Sequence, residues 1–177
     1  MKIIEALNEI KQNKVKVADL QILIAKHCAH LDIATPEYGD QVKDKIREWV
    51  QSCEDISKRN IELLLAIQAT NLATSMTVKI GDKTITKPIA YWVWRKREYA
   101  AADFKTWTLL TDKGLQDQKF RIPGSATNEV KEVKLIRNFD PALRDKMLAE
   151  YKLEADKAGA IDTALSIVTA TTDLIGL

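Results

Sequence analysis

Residues 63–99 read LLLAIQATNLATSMTVKIGDKTITKPIAYWVWRKREY, and their pattern decides the fold. Leu63, Ile67, Thr70 and Thr74 recur at three-four spacing, the mark of a helix with one buried face. The rhythm then turns to alternation. Met76 to Ile80 and Lys83 to Thr86 flank Gly81-Asp82, which predicts a hairpin over 76–86 with glycine leading the turn. Thr86 followed by Pro88 marks a helix start, and a third helix is expected over about 87–110. Its stripe is Ile89, Val93, Ala100, Phe104 and Trp107, with Trp92 and Tyr99 alongside. Polar residues break the apolar seam just before the hairpin. Thr70, Asn71 and Thr74 either bond to backbone and end the helix, or supply neutral donors and acceptors to a pocket.

Upstream, the same spacing runs back through Val42, Ile46, Trp49, Cys53, Ile56 and Asn60, so a second helix is expected over 41–74, about 50 Å long. A first helix over 2–31 carries Ile3, Leu7, Ile10, Lys14, Val17, Gln21, Ile24, Cys28 and Leu31 in heptad register. Lys14 and Gln21 either fix that register from within the seam or lie at its edge, because Leu20 and Leu23 widen the apolar face. Pro36 and Gly39 mark the reversal between the two helices. Downstream, Asp140-Pro141 is an N-cap and first-turn pair opening a fourth helix over 141–174, striped by Leu143, Met147, Tyr151, Glu154, Ala158, Ile161, Leu165, Val168, Thr172 and Ile175. The connection 111–139 exceeds the usual helix-to-helix length, and Glu132 to Arg137 within it suit a third strand. In an up-down bundle the Thr-rich ends of helices two and four would meet.

With 177 residues, 46% hydrophobic and 29% charged, the chain supports one domain and excludes disorder as its main state. The net charge of +2 arises centrally, where residues 61–140 hold 13 cationic against 9 anionic side chains. That excess suits a small anionic ligand and falls short of the basic stripe of a dedicated nucleic-acid binder. Glu5, Asn8, Glu9 and Lys11 interrupt any leader-like apolar run, and no stretch suits a membrane span. A cytoplasmic protein without membrane insertion is expected, with Cys28 and Cys53 as buried thiols rather than a disulfide.

Catalytic signals are thin. His27 and His30, three apart on a helix, are weak metal candidates, and without a Glu-x-x-His pair or Cys-x-x-Cys no metal or other cofactor is expected. No nucleophile elbow or glycine-rich phosphate loop occurs, so no catalytic residues are assigned and the chain is read as non-enzymatic. Residues 92–99, Trp-Val-Trp-Arg-Lys-Arg-Glu-Tyr, place Arg95 beside Tyr99 and Trp92 beside Lys96 on a helix. Rings and cations so interleaved suit stacking on a base and pairing with a phosphate. The candidate ligand set is Thr70, Asn71, Thr74, Trp92, Arg95, Tyr99, Arg121, Lys134 and Arg137. The alternative is that Trp92 and Val93 are core, covered by the stems of Arg and Lys.

Several segments in order resemble the septicolysin-like family of small helical proteins of bacteria and phages. They are Met1-Lys2-Ile3-Ile4-Glu5-Ala6-Leu7; Ala66-Ile67-Gln68-Ala69-Thr70-Asn71-Leu72-Ala73-Thr74; Thr84-Ile85-Thr86 with Ile89-Ala90; Glu132 to Asp140; and Ile161-Asp162-Thr163 with Thr171 to Ile175. Thr169-Ala170 stands where the family pattern has Asn-Trp, and a serine-arginine step before Glu132 is missing. The resemblance implies a helical protein, phage or prophage encoded, and little chemistry.

Together these readings predict a mainly α protein, a long antiparallel four-helix bundle with a small β-hairpin or three-stranded insertion. Helices longer than a monomer of this size needs, with apolar residues on more than one face, predict a homo-oligomer. The function expected is a self-assembling interaction or structural protein, cytoplasmic or virion-associated. The alternatives are a binder of a small phosphorylated ligand such as a nucleotide and, more remotely, a metal-dependent enzyme.

Overall fold

The structure, a computed structural model, describes residues 1–33, 35–112, 136–156 and 159–176. It is mainly helical with a small two-stranded antiparallel sheet: α1 (Ile3–His27), α2 (Val42–Ala73), β1 (Ser75–Ile80), β2 (Lys83–Pro88), α3 (Ile89–Trp94), α4 (Ala100–Thr108), α5 (Pro141–Ala155) and α6 (Ala160–Thr171). A 3-10 turn, Gly39–Gln41, leads into α2, and a π-helical turn, Arg95–Tyr99, joins α3 to α4. The chain forms two units. The first comprises Met1–Met76, Lys87–Ala90 and Ala164–Leu177; the second comprises Thr77–Thr86 and Tyr91–Thr163.

In the first unit α1 and α2 pack antiparallel. Asn13 meets Asn60 and, at the end of α1, His27 meets Trp49, partners that advance along one helix as they retreat along the other. On α2 every position of the stripe read from Val42 to Thr74 is buried or half-buried. On α1 the inward positions are Ile3, Ala6, Ile10, Asn13, Val17, Leu20, Ile24 and His27. Half of the expected heptad is therefore displaced by one residue, and Leu7, Lys14, Gln21 and Cys28 are exposed. The cause is the cost of burying Lys14 and Gln21 without partners. With Asn13 inside, Asn13 Nδ2 donates to Asn60 Oδ1 at 2.9 Å, and the seam's polar position is satisfied. Fully burying Ile3 or Leu63 contributes about 1.5–3 kcal/mol each. Both thiols are free, Cys28 exposed and Cys53 half-buried, so the expectation of two buried thiols fails at Cys28.

The segment after α6 meets both the end of α2, where the Ile175 N–H donates to Thr70 Oγ1, and the start of α1. The Ile3 N–H donates to the Thr172 carbonyl at 3.1 Å, the Leu174 N–H to the Met1 carbonyl at 2.9 Å, and Lys2 Nζ pairs with Asp173. The hairpin returns to the same place, for the Ile89 N–H donates to the Thr74 carbonyl at 2.9 Å. Gly81, with φ of 58°, turns the hairpin in a conformation that costs other residues strain. Its strand β2 continues to Pro88, so Thr86 is not a helix cap. Thr86 lies across from Thr77, the hydroxyls 2.8 Å apart, and the third helical segment begins at Ile89.

In the second unit α5 packs antiparallel along the helix that ends in α4, with Trp107 on Tyr151 and the Leu110 carbonyl accepting from Arg144. Asp140 caps α5 as expected, its Oδ1 accepting from the Ala142 N–H at 2.9 Å. The expected single helix over 141–174 is in fact two. Asp156 is extended, and the Gly159 N–H turns back to the Asp156 carbonyl. A Cβ on Gly159 would lie 2.6 Å from the Leu153 carbonyl oxygen, so this break uses glycine's lack of a side chain. The third strand expected near 132–137 falls mostly outside the described residues.

Candidate functional site

The candidate residues divide between the units. Thr70, Asn71 and Thr74 belong to the first, Trp92, Arg95, Tyr99 and Arg137 to the second, and Arg121 and Lys134 lie outside the described residues. At the end of α2, Thr70 is fully buried. Its Oγ1 donates to the Ala66 carbonyl at 2.7 Å and accepts from the Ile175 N–H at 2.9 Å. The Thr74 N–H donates to the Thr70 carbonyl, closing the helix. Asn71 Oδ1 is buried without a hydrogen-bond partner among the described residues. Near the other end of this unit His27 is buried, with Tyr38 and Trp49 ring centroids at 5.1 and 5.7 Å and Glu37 Oε2 3.6 Å from Nε2. His30, beyond the end of α1, is exposed. Among the described residues no group of three or more His, Cys, Asp or Glu side chains could hold a metal ion.

In the second unit Trp92 is core, its ring edge-on to Tyr91. Arg95 reaches inward: its Nε donates to Glu154 Oε2 at 2.6 Å, one terminal nitrogen donates to Asp103 Oδ2 at 2.5 Å, and its plane lies over the Tyr151 ring. The two carboxylates raise the Arg95 pKa against the opposing effect of burial. Arg137 makes a two-pronged pair with Asp112, at 2.9 and 2.8 Å, which holds that carboxyl below its usual range. Lys96 pairs with Asp162.

Three of the exposed side chains here are aromatic, beside the charged Lys96, Arg97 and Glu98. Tyr91, Trp94, Arg95 and Tyr99 line an open cavity of about 450 Å³. The π-helical turn builds it. At 3.6 residues per turn Trp94 and Tyr99 would stand about 140° apart. Here the Ala100 N–H bonds to the Arg95 carbonyl, five residues back, and a turn of that width stacks residues five apart. Spacing in the sequence pairs Arg95 with Tyr99 and misses Tyr91 and Trp94, because a π-turn leaves no mark in hydrophobic periodicity.

The chain matches no family model, no curated protein and no solved structure. Among the described residues no helix is long and apolar enough to cross a membrane.

Proposed function

We propose that this chain is a non-enzymatic helical protein that assembles with copies of itself. The observation that carries the reading is a second apolar stripe on α2. Ile61, Leu65 and Leu72, spaced four and seven apart, are 57%, 61% and 69% exposed, on the side of the helix away from Leu63, Ile67 and Thr70. α1 has a counterpart in Ile4, Val15 and Ile22, also exposed and opposite its buried seam. Amphipathic helices of a monomer bury one stripe; two stripes per helix suit a bundle that closes only on association. The long antiparallel four-helix bundle with a three-stranded insertion, the septicolysin-like kinship, a phage or prophage origin and a cytoplasmic or virion location belong to this same proposal.

The phosphorylated-ligand reading draws less support, since Arg95 and Arg137 already serve carboxylates. Sedimentation velocity tests assembly. At about 10 µM the wild-type chain is expected to sediment as a dimer or larger, and L65E/L72K as a monomer of unchanged helicity. A wild-type monomer at that concentration refutes the proposal.

A further inference from the structure

We infer that the cavity at the π-helical turn is a site for an alkylammonium group, a quaternary or methylated amine, rather than for a phosphate. Three rings border it, Tyr91, Trp94 and Tyr99, at 45%, 52% and 55% exposure. Large aromatic side chains so exposed, and gathered on one cavity, leave apolar surface that a ligand would cover. Their ring faces carry partial negative charge, which attracts cations.

Electrostatics chooses between a cation and an anion. Arg95, the charged residue that borders the cavity among the described residues, is held between Asp103 and Glu154, so this triad sums to −1. The neighbouring charges do not reverse it: Lys96 is offset by Asp162, and Arg97 is followed by Glu98. A phosphate would meet a cation already matched by two carboxylates. An alkylammonium group would meet aromatic rings beside a triad of net negative charge, and its methyl groups would suit the apolar lining. A group of this size is compatible with a cavity of about 450 Å³. The inference is independent of self-assembly, because these residues do not belong to the exposed stripes of α1 and α2.

The test is calorimetric titration of the full chain with choline and with 3,3-dimethylbutan-1-ol, the neutral molecule of the same shape. Choline is expected to bind about tenfold more tightly, the scale of a cation–π preference of about 1.4 kcal/mol. W94A, checked by circular dichroism for retained helix, is expected to abolish binding, and W94F to keep most of it. A trimethyllysine peptide compared with its unmodified form shows whether the group can be carried by a side chain or must be free. Equal affinity for the two alcohols, no binding of either choline or the peptide, indifference to W94A, or preference for adenosine monophosphate would each overturn the inference.

Discussion

The Ile175 backbone N–H donates to the Thr70 hydroxyl, 2.9 Å away and 105 residues earlier in the chain. The hydroxyl in turn donates to the Ala66 carbonyl, so one side chain in the last turns of α2 anchors the segment after α6. Thr70 is fully buried, and valine would fill its space without replacing the acceptor. T70V is therefore expected to cost about 1–3 kcal/mol, the penalty of an unmet backbone donor. Thr70→Ser should recover most of it. Urea unfolding of the three proteins measures the difference.

Asn13 and Asn60 pose the reverse case, a polar pair facing across an apolar seam. Replacing either one by leucine leaves the other without its partner and is expected to destabilise by about 1–3 kcal/mol. The double leucine variant removes both demands together. Its stability should return to within about 1 kcal/mol of wild type, giving a coupling of opposite sign to the single losses. Additive losses in the double-mutant cycle would show that the pair does not act as a unit.

Much of this arrangement is legible in the sequence, and the misses have physical causes. α2 reads correctly from Val42 to Thr74 because its inward positions are large and its outward neighbours mostly polar. α1 misleads because Ala6 and Asn13 look like poor seam residues beside Leu7; only the partner Asn60 makes Asn13 acceptable inside. The break at Asp156–Gly159 hides within a three-four pattern that continues across it, since the pattern records which faces are apolar and not whether the backbone is continuous. Arg95 is legible as a charged residue among rings. Its commitment to Asp103, eight residues on, and to Glu154, 59 residues on, depends on how α5 packs against it.

The break in the last helix makes its own prediction. A Cβ at position 159 would lie 2.6 Å from the Leu153 carbonyl oxygen and 2.9 Å from that of Asp156, both backbone atoms. Neither can swing aside as a flexible side chain would. G159A should therefore destabilise by about 1–3 kcal/mol, as overpacking does, although alanine is the better helix former. A thermal melt that rises on this substitution would mean the break is dispensable.

Surface pairing sets the pH response. Hydrogen bonds from Lys26, Arg137, Lys83 and Lys2 lower the pKa values of Glu37, Asp112, Glu150 and Asp173 respectively. A carboxyl lowered in the folded state stabilises fully above its unfolded pKa, about 4, and that stability is lost as pH falls through the folded value. The same pairing raises Lys26 and Lys83, whose contribution is present below about pH 10 and lost above it. Urea midpoints should hold a plateau from about pH 5 to 10 and fall on both sides. Lys83→Met should flatten both limbs.

Arg95 supplies the sharpest division between a structural and a binding role. Its side chain is 13% exposed and that of Glu154 is 12%, so removing the guanidinium leaves a shielded carboxylate without its cation. R95M should then cost about 2 kcal/mol, within the range for hydrogen bonds to charged groups. Glu154→Gln should cost less, because an amide oxygen can still accept from Nε. The double variant R95M/E154M removes both charges and should regain much of the loss, since the remaining Asp103 is substantially exposed. If Arg95 were instead held in readiness for an anionic ligand, R95M would leave stability nearly unchanged and Glu154→Gln would strengthen phosphate binding. Urea unfolding and phosphate titration on the same three variants separate the two.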